Sequence, residues 1–145
     1  MKTIGDVLKS KGYDVWAVEP DTTVYDALAL MADRDIGAVL VMDGRGRLAG
    51  ILSERDYARK VVLKGHTSRE TPVASIMTEK VISVSADTSV EECMELMTGH
   101  RIRHLPVTGK GRVMGVVSIG DIVKAIISDQ GFVIEQLECY IRGAR

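Results

Sequence analysis

The chain has 145 residues and an almost balanced charge, with 19 Lys and Arg against 20 Asp and Glu. This balance excludes a protein that holds nucleic acid or an anionic membrane mainly through bulk charge. The hydrophobic fraction of 46% argues for a folded core and against disorder, and no apolar run approaches the roughly 18 residues of a membrane helix.

Residues 1–12 are predicted to form a short helix, and residues 13–64 a first structural unit. A short apolar run predicts a strand, and the Asp and Thr residues after it are typical helix starts. Apolar residues then recur on one helix face, and two valine-rich runs around a Gly-rich loop predict a hairpin. The predicted elements are a strand at Val15–Val18, a helix through Val24, Leu28 and Met31, strands at Ala38–Met42 and Leu48–Leu52, and a helix from Ser53.

Residues 65–78 are predicted to be a linker, residues 79–129 a second unit, and residues 130–145 a helical tail with apolar residues near helical spacing. The second unit repeats the order of the first. Its predicted elements are a strand at Val81–Val84, a helix through Val90, Cys93, Met94 and Met97, strands at His104–Val107 and Val113–Val117, and a helix from Ser118.

The two units are copies of each other. Asp21 aligns with Asp87 at an offset of 66, and Gly50 with Gly115 at an offset of 65, the difference falling in the Gly-rich hairpin loops. A unit of the order β-α-β-β-α cannot cover both faces of its own sheet, so we expect two copies to pack face to face. The apolar residues of the two long helices are core or interface candidates.

One motif, Gly-h-x-Ser-x-x-Asp (h is a hydrophobic residue), occurs once in each unit, at residues 50–56 and 115–121. It places a hydroxyl and a carboxylate at a helix start, where free backbone N–H groups favour anions and an Asp accepts hydrogen bonds from vicinal hydroxyls. The alternative is plain helix capping, since Ser53 with Asp56 three residues later is close to a capping box. Capping does not require the glycine, and the glycine recurs in both units.

The whole pattern resembles a pair of cystathionine-β-synthase (CBS) domains in a stand-alone form. The likeness covers about residues 10–129. Leu40 departs from the family pattern, which has proline there. The matching segments are Ile76-Met77-Thr78, the stretches 18–24 and 84–90 of the form Val-x-Pro/Ala-Asp-Thr-x-Val, residues 100–107, and both Gly-h-x-Ser-x-x-Asp motifs.

The resemblance implies an α+β fold in which two β-α-β-β-α repeats pack as a pseudo-twofold pair, with small three-stranded sheets and helices on one face. It also implies two crossed sites for adenine nucleotides, with AMP or NAD(H) as the expected ligand and no catalytic cofactor. In each site the Ser and Asp of one repeat hold ribose, and the other repeat supplies the adenine pocket. One site would combine Ser53 and Asp56 with Val81, Ile82, Ile102, Arg103 and His104. The other would combine Ser118 and Asp121 with Val15, Trp16, Ala17, Ile36, Gly37 and Ala38.

The two expected sites differ in their phosphate chemistry. Arg103 and His104 offer donors beside Asp56, whereas Gly37 and Ala38 offer none at the matching positions. We therefore expect the Asp56 site to bind a charged nucleotide more firmly. Arg55 and the neighbouring Arg59 either reach the phosphates or form a solvated helix face, and Trp16 either stacks on adenine or packs in a core or interface.

The implied function is a regulatory module that senses energy or redox status through an adenine nucleotide and signals to a partner protein. The family commonly forms homodimers of four repeats. The alternative is a scaffold or dimerisation protein whose ligand sites are degenerate. We do not expect an enzyme or a metal site, because the sequence lacks a convergent acid–base set, a Walker loop and metal-ligand spacing. Without a signal-peptide core or paired cysteines, we expect a cytoplasmic protein.

Overall fold

A computed structural model of the chain describes residues 2–128 and 141. The predicted helical tail at 130–145 lies, apart from Ile141, outside the described residues. The helices are α1 (Ile4–Lys11), α2 (Val24–Arg34), α3 (Glu54–Tyr57), α4 (Val90–His100) and α5 (119–128). The strands are β1 (Ala17–Val18), β2 (Ala38–Met42), β3 (Leu48–Ser53), β4 (His104–Gly109) and β5 (Arg112–Ser118). A π-helical turn, Ala58–Val62, continues α3, and a 3₁₀ turn covers Val73–Ser75.

The long helices of the two units begin and end in the same way. The hydroxyl of Thr23 caps α2 by accepting from the Asp26 N–H, and the hydroxyl of Ser89 caps α4 by accepting from the Glu92 N–H. Each helix then stops at a residue in the left-handed conformation, which closes the last turn. The repeat seen in the sequence is therefore also a repeat of backbone geometry.

The sheets of the two units are not identical. In the first unit β1 pairs in parallel with β2, which pairs antiparallel with β3. In the second unit only β4 and β5 form a sheet, and the strand predicted at Val81–Val84 is reduced to a single bridge between Val84 and Val107. The expectation of a full first strand there is wrong.

Pro106 explains the shortened strand. In the first unit the Leu40 N–H donates to the Trp16 carbonyl, with an N···O distance of 3.1 Å. Pro106 stands at the position that matches Leu40, and proline has no N–H to donate. The equivalent bond to Ile82 cannot form, so pairing begins only at Val84, whose N–H donates to the Pro106 carbonyl at 3.0 Å.

Each unit has its own hydrophobic core, and each core is completed by a segment from outside the unit. Ile4, Val7 and Leu8 of α1 are buried in the core of the second unit. Val73 and Ile76, from the linker, are buried in the core of the first. The segment that precedes each unit in sequence thus packs on the other one, and the two units are crossed.

The backbone bonds of the two crossing segments match one for one. The Val90 N–H donates to the Lys2 carbonyl and the Ile4 N–H to the Thr88 carbonyl, while the Val24 N–H donates to the Thr71 carbonyl and the Val73 N–H to the Thr22 carbonyl. Lys2 and Ile4 of the first crossing segment thus take the same places as Thr71 and Val73 of the second, 69 residues further along the chain.

Most of the helix residues predicted as core or interface candidates belong to the chain's own cores. Val24 and Met31 are buried in the first core, and Val90, Cys93 and Met97 in the second. Leu28 and Met94 are partly buried against the same clusters. Within the described part of the chain, no helix is long and apolar enough to cross a membrane.

Candidate functional site

Both Gly-h-x-Ser-x-x-Asp motifs form a capping box at a helix start. Ser53 and Ser118 each accept a hydrogen bond from the backbone N–H of the Asp three residues later. In return the Asp56 and Asp121 carboxylates accept from the backbone N–H groups of the serines, at 3.0 Å and 2.8 Å. The capping interpretation of these residues therefore holds, and any ligand would bind to carboxylates that already cap helices.

The glycine of each motif has a packing role. A Cβ at Gly50 would lie 2.7 Å from the Met77 sulfur and 2.8 Å from the Thr78 carbonyl oxygen, and a Cβ at Gly115 would lie 2.8 Å from a methyl of Leu8. These distances are shorter than real Cβ contacts. The glycines let the crossing segments approach the strands closely, so their recurrence is not by itself a sign of a ligand.

Residues of both units line a cavity of about 850 Å³ around Asp56, which we call the Asp56 cleft. It contains every residue that the sequence analysis assigned to this site: Ser53, Arg55, Asp56, Val81, Ile82, Ile102, Arg103 and His104. Six Lys or Arg residues line the cleft against two carboxylates. The cationic residues are Arg55, Arg59, Lys60, Lys80, Arg101 and Arg103.

Two of these cations are already held in place. The Lys60 ammonium lies 3.4 Å from Asp56 Oδ1 and donates to the Ile76 carbonyl. Arg55 donates from its guanidinium to the Arg101 carbonyl at 3.1 Å, and so joins the start of α3 to the end of α4 across the two units. Arg103 is exposed at the cleft. The cleft is therefore a basic pocket with a carboxylate at its base, a combination suited to a ribose and a phosphate.

A second cavity, of about 380 Å³, lies around Asp121 and is called the Asp121 cleft. It collects most of the residues predicted for the second site, but Val15 and Ala17 do not line it. The predicted residues that do are Trp16, Ile36, Gly37, Ala38, Ser118 and Asp121. The charge here is reversed, with Lys11 against the three carboxylates of Asp14, Asp35 and Asp121.

Asp121 already has a cationic partner. The Lys11 ammonium lies 2.7 Å from Asp121 Oδ2 and also donates to the Val116 carbonyl at 2.7 Å. Burial alone would raise the pKa of Asp121, but the hydrogen bonds from Lys11 and Ser118 hold that pKa below its usual range. The carboxylate is thus ionised and engaged within the chain itself.

His104 lines both clefts. Its imidazole faces Gly37, and a Cβ at that glycine would lie 3.3 Å from the ring. Burial lowers the pKa of His104, an effect that the Asp121 carboxylate opposes and that Lys11 and Arg103 reinforce. His104 is therefore neutral near pH 7 and stands between the two clefts, where Gly37 leaves the room that its ring needs.

Trp16 is partly buried against the first core, and the Arg34 guanidinium lies 4.1 Å from the centre of its ring. The ring thus has a packing role and a cation–π contact within the chain. It also borders the Asp121 cleft, so the packing role is observed and stacking on adenine stays a prediction.

Sequence reasoning missed Lys11 and the acidic residues beside it. The signal was present: residues 3–8 (Thr-Ile-Gly-Asp-Val-Leu) align with residues 72–77 (Pro-Val-Ala-Ser-Ile-Met) at an offset of 69. Extending the same offset pairs Lys11 with Lys80, one lysine at each cleft. Treating both segments as outside the repeats hid this match.

Comparison with known proteins places the chain in a family. The sequence model of the CBS domain matches residues 4–63 and 73–128. The chain is 43% identical to the mitochondrial CBS domain-containing protein CBSX3 of Arabidopsis thaliana over 97% of this chain and 72% of that protein. A solved structure of a protein with CBS domains from Burkholderia ambifaria is 51% identical, with a TM-score of 0.86 over 89% of this chain and 96% of that one. A hexameric CBS-CP12 protein from cyanobacteria is 26% identical, with a TM-score of 0.75 over 85% of this chain and 70% of that one.

A crossed pair of β-α-β-β-α units with a cleft at each Ser-x-x-Asp motif defines a two-repeat module of the regulatory, ligand-binding class. The chain belongs to the CBS domain family and contains two CBS repeats. The resemblance and the α+β fold expected from the sequence are both confirmed.

Proposed function

We propose that this protein is a regulatory module that binds an adenine nucleotide, AMP or the AMP half of NAD(H), in the Asp56 cleft and signals the occupancy to a partner protein. The observation that carries the proposal is the meeting of residues from both units in one basic cleft. Its volume lies in the range of pockets that hold small molecules, about 300–1,000 Å³.

Each part of the nucleotide has a fitting partner in this cleft. Asp56 Oδ1, which takes no part in the capping box, is available for the ribose hydroxyls once Lys60 shifts from its 3.4 Å contact. The apolar side chains of Val81, Ile82 and Ile102 offer a surface for the adenine ring. Arg103 supplies two parallel N–H donors for a phosphate.

The role in signalling follows from the crossed construction. A ligand in the Asp56 cleft touches β3 and α3 of one unit and β4 of the other, so it biases the relative position of the two units. The Burkholderia relative is described as a candidate signal-transduction protein, which supports a regulatory rather than catalytic role. A cytoplasmic location remains part of this proposal and is tested by cell fractionation.

We also propose a homodimer of four repeats. Two apolar patches, Val62 with Leu63 after α3 and Val123 with Ile127 on α5, are 40% to 76% exposed, and Val62 and Ile127 occupy matching positions of the two units. Exposed apolar patches mark interaction surfaces, and the hexameric CBS-CP12 relative shows that similar chains assemble. Light scattering at micromolar concentration should give the dimer mass. Leu63→Asp with Ile127→Asp should give a folded monomer, and a monomeric wild type would contradict the proposal.

Thermal unfolding with and without AMP tests the nucleotide proposal. A ligand that binds only the folded state adds about 2.7 kcal/mol at a hundred times its Kd, so the melting temperature should rise by several degrees. The control is Asp56→Ala, which should lose at least about half of the shift at the same AMP concentration. If AMP, NAD, NADH, ATP and S-adenosylmethionine all leave the melting temperature unchanged, the scaffold alternative, in which Ser53 and Asp56 only cap α3, replaces this proposal.

A further inference from the structure

The aspartates of the two clefts are paired with lysines from different places. Lys60, on the turn that continues α3, lies 3.4 Å from Asp56 Oδ1, whereas the lysine that pairs with Asp121 comes from α1, outside the second unit. At the end of α1 the Lys11 ammonium contacts both Asp121 Oδ2 and the Val116 carbonyl, each at 2.7 Å. Asp121 occupies the position that Asp56 has in the other unit. The Lys11 ammonium and the Ser118 N–H share Asp121 Oδ2, so a ribose that approached this carboxylate would meet the ammonium beside it.

We propose that Lys11 is a specificity residue that closes the Asp121 cleft to the ribose of adenosine, so that the chain binds adenosine in the Asp56 cleft alone. This inference rests on the proposed function, because it assumes that the open cleft takes such a ligand. It replaces the expectation of two sites of unequal strength with one open site and one closed site.

The backbone explains why only one lysine acts in this way. Lys80 matches Lys11 in sequence and lines the Asp56 cleft, but it is exposed. The linker leaves its 3₁₀ turn at Ser75, and Thr78 then pairs with Ile51 through backbone bonds of 3.0 Å and 2.9 Å.

The helix α1, in contrast, continues to Lys11, and the lysine side chain reaches the carbonyl of Val116, which matches Ile51. A half-buried carbonyl requires a donor. In the first unit the donor is a backbone N–H, and in the second it is the Lys11 ammonium. Closure of the Asp121 cleft is therefore a consequence of the longer helix before the first unit.

The charges around Asp121 determine the right probe. Asp14 and Asp35 also line this cleft, so removal of Lys11 leaves three carboxylates and no Lys or Arg among the described residues that line it. Such a pocket repels phosphate, and AMP would stay out even if the cleft opened. Adenosine has the ribose hydroxyls and no phosphate, so it reports on Lys11 alone.

The test is calorimetric titration of adenosine into variants that all carry Asp56→Ala, which weakens the open cleft. Adding Lys11→Met should create one saturable site, with affinity higher by about ten- to a hundredfold, the size of one charge-assisted contact. Lys80→Met is the matched control and should create none. Lys11→Arg, which keeps the cation, should also stay closed, and adding Asp121→Ala to the Lys11→Met protein should remove the gained site.

A single Lys11→Met variant with Asp56 intact keeps the test decisive if the double variant does not fold. Its adenosine stoichiometry should be two per chain against one for the wild type. Equal stoichiometry, or a wild type that already binds two, overturns the inference. Wild-type AMP binding is measured in parallel: its absence overturns the proposed function, whereas AMP binding without a gain in Lys11→Met overturns only the role of Lys11.

Discussion

The Asp56 and Asp121 clefts occupy equivalent places in two copies of one unit, yet they differ in size and in sign of charge. The first measures about 850 Å³ and has six Lys or Arg against two carboxylates. The second measures about 380 Å³ and has one lysine against three carboxylates. The capping geometry of Ser and Asp is nearly the same in both.

The difference between the clefts arises outside the motif. Arg103 and His104 in one repeat replace Gly37 and Ala38 in the other. The helix α1 brings Lys11 onto Asp121 in one cleft, whereas the matching Lys80 lies exposed at the edge of the other. A repeated motif therefore fixes where a ligand can lie, and the neighbouring segments determine what charge it meets. Variants that change one cleft or one motif residue at a time test whether position and charge are set separately in this way.

The largest expected effect separates the two carboxylates. Asp56→Ala should weaken AMP binding by about ten- to a hundredfold, because a charge-assisted ribose contact is worth about 1.5–3 kcal/mol. Asp121→Ala should leave the AMP affinity unchanged, because Lys11 already occupies that carboxylate. Isothermal calorimetry on both variants measures this. Equal losses would mean that the clefts are functionally alike despite their charges.

The next effect concerns stability and tests the packing role of the motif glycines. Gly50→Ala should destabilise the fold by about 1–3 kcal/mol, the usual cost of overpacking, since its Cβ would meet the backbone oxygen of Thr78 at 2.8 Å. Gly115→Ala should cost less, because the obstacle is a side-chain methyl of Leu8. Urea unfolding gives both values.

Gly44→Ala is the control for this series, because a Cβ at Gly44 meets nothing within 4 Å. It should leave the free energy of unfolding almost unchanged. If Gly50→Ala also left the free energy of unfolding unchanged but impaired nucleotide binding, the glycine would be needed for ligand binding and the packing explanation would be wrong.

A smaller effect separates phosphate from adenine recognition in the Asp56 cleft. Arg103→Ala should weaken AMP binding by about tenfold, which is the expected cost of losing one charge-assisted hydrogen bond. It should change the affinity for adenosine little, because adenosine has no phosphate. Titration of both ligands into the same variant decides this. Equal losses would place Arg103 against the adenine or in the scaffold of β4.

The smallest effect is a pH dependence from His104. Because its pKa is lowered in the folded state, a proton binds more readily to the unfolded chain, and stability should fall as the pH decreases through the unfolded value of about 6.5. His104→Gln should flatten this part of the stability profile in urea unfolding between pH 5 and 7.5. His66→Gln, at an exposed position, is the control, and an identical loss of slope there would reject the assignment.

The repeats, the hairpins and the helix starts could be predicted because each depends on local signals: alternating valines, Gly-rich loops, and Thr23 or Ser89 before an amphipathic run. The charge contrast between Arg103 and Gly37 was also readable, since those positions align. The shortened strand was predictable in principle from Pro106, whose missing N–H is a property of the residue itself.

The Lys11–Asp121 pair and the crossing of α1 and the linker could not be read from local patterns. The ion pair joins residues 110 positions apart and depends on how far α1 remains helical before Gly12, and the crossing segments pack on units that are distant in sequence. Val15 and Ala17 were assigned to a cleft that they do not line, because successive side chains of an extended segment point to opposite sides and Trp16, between them, is the one that borders the cleft.

The crossed cores also set an order for folding during synthesis. The buried side chains of α1 find their partners only after residues 84–125 of the second unit have been made, so α1 is synthesised before the second unit and docks after it. The core of the first unit is completed earlier, once Val73 and Ile76 of the linker have been made. Contacts that span most of the chain slow folding. Neither unit has a finished core by itself, so a nascent chain stopped between the two repeats would still expose apolar surface.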